Sequence, residues 1–128
     1  SPVGRAFLTD VPFSYARGQS MAFTKNNPRF MEPNYSANIA ATDQFRALAA
    51  QMGEPAAALA IAWLIAQGEH VLPIPGTKNT NHLAELLRGT EISLSATDID
   101  RIETVLPVGW AHGDRYSAEQ WQGPERFS

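Results

Sequence analysis

The sequence predicts an α/β fold, and a part of one rather than the whole. Helical segments flank a short apolar run, Val71-Leu72-Pro73-Ile74, in the helix–strand–helix order of parallel-sheet proteins. The helix before that run, Pro55 to Gln67, is apolar on every side and therefore calls for burial all round. Against these two observations stands a shortage of strands. The chain reads as four helices but barely two strands, one of them cut off at its start, so the neighbours of both elements are expected outside these 128 residues. The alternative is a small all-α bundle in which Val71 to Ile74 is only a linker.

Each element has its own signals. Ser1 to Leu8 carries Val3, Ala6, Phe7 and Leu8 around Gly4 and reads as a strand end running into a loop. Thr9 to Pro33 is polar and irregular, with Pro12, Gly18, Asn27-Pro28 and Pro33, and a loop of about 25 residues is uncommon unless it serves a function. From about Tyr35 to Met52, Ala41, Phe45, Leu48 and Met52 recur at helical spacing. Gly53 then suits the position past a helix end, and Pro55 the first turn of the next helix. Pro73 removes one ladder donor from the expected strand 71–74. Asn79 or Thr80 can cap a helix to about Arg88, with Leu83, Leu86 and Leu87 as its apolar side. Ser95-Ala-Thr-Asp98 is a capping-box variant opening a helix with Ile99, Ile102, Val105 and Leu106 on one face, stopped by Pro107. Val108 to Ser128 is aromatic and polar, without a period.

Composition narrows the function classes. Hydrophobic residues make up 44% and charged residues 18%, as in a globular domain. A net charge of −3 argues against a general nucleic-acid or anionic-membrane surface. The absence of cysteine removes disulfides, thiolate zinc sites and a cysteine nucleophile. The longest apolar run, Pro55 to Ala66, is twelve residues, whereas a bilayer span takes about twenty. A soluble, cytoplasmic protein is expected. The start at Ser rather than Met is what a processed or excised piece would show.

The stretch Ile74-Pro-Gly-Thr-Lys-Asn-Thr-Asn-His-Leu-Ala-Glu85 is the most informative chemically. A strand end enters a Gly turn, and the turn opens a helix whose free amides and dipole favour an anion. Gly76 allows close backbone approach, Thr77 adds a hydroxyl and Lys78 a full positive charge, which suits a phosphate monoester. On the residues alone, a plain turn with an exposed lysine is the simpler reading. His70, His82 and His112 lack metal-ligand spacing, so no metal site is expected.

Taken in order, Ser1-Pro-Val-Gly-Arg-Ala-Phe-Leu8, Pro28-Arg29-Phe30, Ala60-Ile-Ala-Trp63, Pro73-Ile-Pro-Gly-Thr-Lys78 and Leu83-Ala-Glu85 resemble the aldo/keto reductases. Leu94-Ser-Ala-Thr-Asp98 and Gly113-Asp-Arg-Tyr116 are similar to the end of the same family. The resemblance implies the C-terminal part of a (β/α)8 barrel. Residues 1–8 would be the end of strand 7, 9–33 its long loop, 35–67 helices, 71–74 strand 8, 79–106 helices and 107–128 the tail. Such a barrel takes about 250 residues, so its N-terminal part is an implied partner.

By the same resemblance the chain serves an NADP(H)-dependent reductase of small carbonyl or alcohol substrates. Ser1, Pro2, Val3, Gly4 and Arg5 match the loop beside the cofactor pyrophosphate. Gly76, Thr77 and Lys78 match the segment holding the adenosine 2′-phosphate, and His82 and Glu85 match contacts to the adenine–ribose end. Leu86 departs from the family's usual Asn, and Ala6 from its usual Gly. The family's catalytic Tyr, Lys, Asp and His would all precede Ser1. Tyr15, Tyr35, Tyr116, Lys25 and His70 stand in no matching motif, so this chain has no expected catalytic residue and is expected to be inactive alone. At least one of Trp110, Trp121 and Phe127 would line the substrate pocket, or all would only plug the surface. A non-catalytic nucleotide- or phosphate-binding module on the same barrel is the rival function.

Overall fold

A computed structural model describes residues 1–121, and its regular elements are helical. They are α1 (Tyr15–Ser20), α2 (Asn34–Met52), α3 (Ala56–Ala66), α4 (Thr80–Arg88) and α5 (Ala96–Val105), with tight turns at Gly4–Ala6 and Pro28–Phe30. Helix α2 ends where Gly53 takes the left-handed conformation (φ 74°), with its amide and that of Glu54 returning to the last turn. Pro55 stands just before α3 rather than inside its first turn. The amide of Ala56 is capped instead by the Asp10 carboxylate at 3.0 Å. Helix α5 has a complete capping box: Ser95 Oγ accepts from the Asp98 amide, and Asp98 Oδ2 accepts from the Ser95 amide at 3.0 Å.

The core lies where α2, α3 and α5 meet, around Phe45, Leu48, Leu59, Ala60 and Ile102. A second, smaller cluster joins Ala57 and Ile61 of α3 to Leu86 of α4, with Val3 packed against it. Helix α4 can lie this close to α3 because position 89 has no side chain. A Cβ there would come within 2.6 Å of both the Ala58 carbonyl oxygen and Ile61 Cβ. Phe7 is buried against Phe30, with ring centroids 4.7 Å apart. No single helix among the described residues is long and apolar enough to cross a membrane.

Three expectations differ from what the described residues form. Neither residues 1–8 nor 71–74 form a strand among the described residues. Residues 72–76 make no backbone–backbone hydrogen bond there, and a strand exists only through a ladder with a neighbour. The long loop 9–33 contains α1 and a 3-10 turn, because Ser14 and Asn27 cap them with their side chains. Helix α3 is buried through Ala62, but Ile65 and Ala66 at its C-terminal end are exposed. Its partners there are lacking, as they are for Leu83 and Leu87 of α4, which are also exposed while Leu86 alone is buried.

Candidate functional site

The loop of residues 1–5 is held from several sides. Gly4, Arg5 and Ala6 take successive positive φ values of 58°, 57° and 75°, a left-handed turn that is easy for glycine and strained for Arg5 and Ala6. The turn is fixed by its flanks. Val3 sits on the α3–α4 cluster, Phe7 is buried, and Arg46 Nη1 donates to the Phe7 carbonyl at 2.8 Å. Arg5 is clamped between the rings of Phe23 and Tyr116, 5.1 and 5.0 Å from their centroids. Its Nη1 donates to the Arg115 carbonyl at 2.8 Å. Burial, then the positive charge of Arg115, lowers its pKa, while Tyr116 opposes the shift.

The segment of residues 74–85 is open by contrast. Gly76, Thr77, Lys78 and His82 are exposed and Glu85 is half-buried. A Cβ on Gly76 would meet nothing within 4 Å, so no atom of the described chain requires glycine there. The amides expected to receive an anion are occupied: Asn79 Oδ1 accepts from Asn81 and His82 at 2.8 and 3.3 Å. Thr77 Oγ1 accepts from the Asn79 amide at 3.2 Å. The α4 N-terminus is thus closed by its own cap, and the feature left for an anion is Lys78, which makes no ion pair or side-chain hydrogen bond among the described residues. The loop of residues 1–5 and helix α4 meet through Val3 and Leu86. Leu86 belongs to the core, which explains why an apolar residue stands where the family pattern has Asn.

Between these parts lies a cavity of about 650 Å³. The first loop, the end of α3, residues 71–74, Trp110 and Tyr116 wall it, and Arg5, Arg29 and Arg115 reach it. The tail, with Arg115 and Tyr116, closes one side, strapped to α2 and the loop before it by Asn38, Asn27 and Arg29. Asn38 donates to the carbonyl of His112 and accepts from its amide, at 3.0 and 2.7 Å. Asn27 Nδ2 donates to the Arg115 carbonyl at 2.8 Å, and Arg29 Nε to that of Gly113 at 3.2 Å. Gly113 is required here: its φ is 83°, and a Cβ would come within 2.9 Å of the Pro28 carbonyl group. Trp110 lines the cavity, Trp121 packs edge-on against Tyr116 instead, and Phe127 lies outside the described residues.

The clamp residues Asn27 and Asn38, and the cap Asp10, escape a reading of the sequence. Isolated polar residues carry no periodic signal, and their partners are 46 to 88 residues away. Arg29 stands in the quoted Pro28-Arg29-Phe30 motif, which was the available hint. Tyr35 donates its hydroxyl to the Phe13 carbonyl at 2.8 Å, and burial pushes its pKa up.

Arg5, Arg29 and Arg115 thus stand among mostly apolar residues around one cavity. The chain belongs to the aldo/keto reductase family, whose model matches residues 1–107. It is 30% identical over 119 residues to the Schizosaccharomyces pombe protein named aldo-keto reductase yakc (NADP(+)), covering 91% of this chain and 34% of that protein. It is 32% identical over 130 residues to a probable aldo-keto reductase 1 of Glycine max, covering 100% of this chain and 36% of that protein. The chain thus spans about a third of the length of these relatives. No solved structure matches it.

Proposed function

We propose that this chain is the C-terminal part of an NADP(H)-dependent, cytoplasmic aldo/keto reductase, and that a (β/α)8 barrel is completed by strands preceding it. In that reading residues 71–74 are strand 8. The observation that carries it is the exposure of Leu72 and Ile74, 82% and 86% accessible, beside a large cavity. Leu72 and Ile74, two positions apart, share one face of an extended segment, and an apolar face left bare fits a strand whose covering layer lies outside these residues. The name of the S. pombe relative supports the choice of cofactor.

The bound dinucleotide would supply a hydride to the carbonyl carbon, giving an alcohol once the oxygen takes a proton. This chain's residues would bind and orient it. Lys78 offers a free charge to the 2′-phosphate, with Gly76 and Thr77 shaping the turn. Arg5, held by its aromatic clamp, faces the pyrophosphate, with Ser1, Pro2, Val3 and Gly4 forming the loop around it. His82 and Glu85 line the side of α4 given to the adenosine end. The acid that protonates the carbonyl oxygen would come from the preceding strands, so the 128 residues alone would not turn over a small carbonyl or alcohol substrate.

The test is a fluorescence titration of the protein expressed from its full coding sequence with NADPH and NADH. NADPH is expected to bind at least about tenfold more tightly, and Lys78→Ala to remove most of that preference. Equal affinity for both in the unaltered protein overturns the cofactor assignment. NADPH binding without reduction of any aldehyde favours the non-catalytic module.

A further inference from the structure

Three left-handed residues in a row are a strained way to turn a chain, and of the three only Gly4 suits them. Such strain persists only where the surroundings over-determine it. The turn's own backbone bonds are local: the Gly4 amide donates to Ser1, the Phe7 amide to Gly4 and the Leu8 amide to Val3. Thr9 Oγ1 adds a bond to the Ala6 carbonyl at 2.8 Å. These close the turn on itself. The bond that ties its exit to a helix comes from Arg46 of α2.

The Arg46 guanidinium is first anchored on its own helix. Its Nη2 donates to the Ile39 carbonyl at 3.2 Å and to the Asp43 carboxylate at 2.7 Å. That leaves Nη1 to reach the Phe7 carbonyl, which no backbone amide among the described residues serves. The Arg46 side chain is only 14% exposed, and a charge-assisted bond shielded from water is a strong one. The Phe7 ring lies 4.7 Å from that of Phe30 and 6.1 Å from that of Tyr35. Ring packing thus fixes where residue 7 sits, and Arg46 fixes which way its peptide faces. That peptide follows Ala6 directly, so its orientation sets how the left-handed turn leaves. Arg46 itself stands outside the cavity wall, whereas Arg5, two residues before Phe7, stands in it.

Building on the reductase reading, we propose that Arg46 is a positioning residue for the cofactor: from α2 it locks the left-handed turn and so holds Arg5 against the pyrophosphate. It touches no part of the dinucleotide. No bond of Arg46 reaches Lys78 or α4, so the 2′-phosphate end is indifferent to it. Without the lock, Arg5 and Ala6 relax towards negative φ and the Arg5 guanidinium leaves its place. Glycine at position 6 removes part of the strain, and with it part of the need for the lock.

The test titrates the protein expressed from its full coding sequence with NADPH and with adenosine 2′-monophosphate, which lacks the pyrophosphate. Arg46→Ala is expected to raise the NADPH Kd about tenfold and to leave that of adenosine 2′-monophosphate within about twofold. A general loss of structure weakens both ligands together. Equal weakening of both, or an NADPH Kd unchanged within about twofold, overturns the proposal. Adding Ala6→Gly to Arg46→Ala is expected to recover about threefold of the lost NADPH affinity, and no recovery overturns the lock. If Arg46→Ala does not fold, Arg46→Lys, which keeps the charge and loses the fork, carries the same comparison. A second arm needs no ligand: amide hydrogen exchange over residues 1–9, where the Gly4, Phe7 and Leu8 amides report on the turn. Exchange there about tenfold faster in Arg46→Ala, with α5 unchanged, supports the lock even if the unaltered protein binds no NADPH. That last result would sink only the reductase reading. Unchanged exchange over residues 1–9 overturns the lock.

Discussion

The two loops that carry the candidate cofactor residues are built in opposite ways. The first, residues 1–8, keeps its shape through this chain's own atoms: Phe7 in the core, Arg46 on its carbonyl, Val3 against α4, and the clamp on Arg5. The second, residues 71–80, has almost nothing around it, and its side chains stand in solvent or face the cavity. A loop set by long-range contacts can hold a strained left-handed turn, because the surroundings over-determine it. A loop of local turns cannot, and here its polar groups bond to one another: Thr77 with Asn79, and Asn79 with the start of α4. Rigid positioning belongs to Arg5, and adaptable charge to Lys78.

That contrast can be broken at several points. The largest effect is expected from Phe7→Ala, which empties a site only 3% exposed beside Phe30 and should cost about 3–5 kcal/mol in urea unfolding. Ile74→Ala is the sharper test of the open loop. Its side chain is 86% exposed in this structure, so on these residues alone the change should cost less than about 0.5 kcal/mol. In the protein expressed from its full coding sequence a barrel strand would raise that to about 2–4 kcal/mol. A small cost there would end the strand assignment. Ala6→Gly should act in the other direction, relieving the φ of 75° and raising the melting temperature by the equivalent of about 1 kcal/mol. The smallest effect is a pH dependence. Hydrogen bonds from the Ser95 hydroxyl and amide hold the Asp98 carboxyl below its ordinary range, with Arg101 helping. Its folded pKa is depressed, so this contribution is complete above the unfolded carboxyl pKa of about 4 and fades as pH falls through the lower folded value. Asp98→Asn should flatten that part of the stability–pH curve.

Much of the helical framework was legible beforehand, because helices announce themselves locally. The period of Phe45, Leu48 and Met52, the stop at Gly53 and the box from Ser95 to Asp98 all reappear as drawn. What the described residues form differs from the sequence reading where partners are distant. Residues 71–74 have the composition of a strand, but strand pairing is a property of two segments, and the described residues contain no second one. Leu83 and Leu87 look like a core face, yet among the described residues only Leu86 of that face finds a partner, on α3. For the candidate site, motif order pointed to Arg5 and Lys78. It said nothing of the Phe23–Tyr116 clamp, whose two rings are 93 positions apart in the chain.

By itself, the sequence determined helices α2 to α5, the stop at Gly53, the box at Ser95 and the family, since these rest on neighbours within a few positions or on the order of short motifs. The tertiary structure decided which side chains meet. It showed that the α4 amides are closed by Asn79 and that Asp10 caps α3 from a distant loop. It also gathered Arg5, Arg29 and Arg115 at one cavity. The reason is physical: a cap or a periodic face is a local hydrogen-bonding and burial pattern, whereas like charges converge only when packing elsewhere outweighs their repulsion.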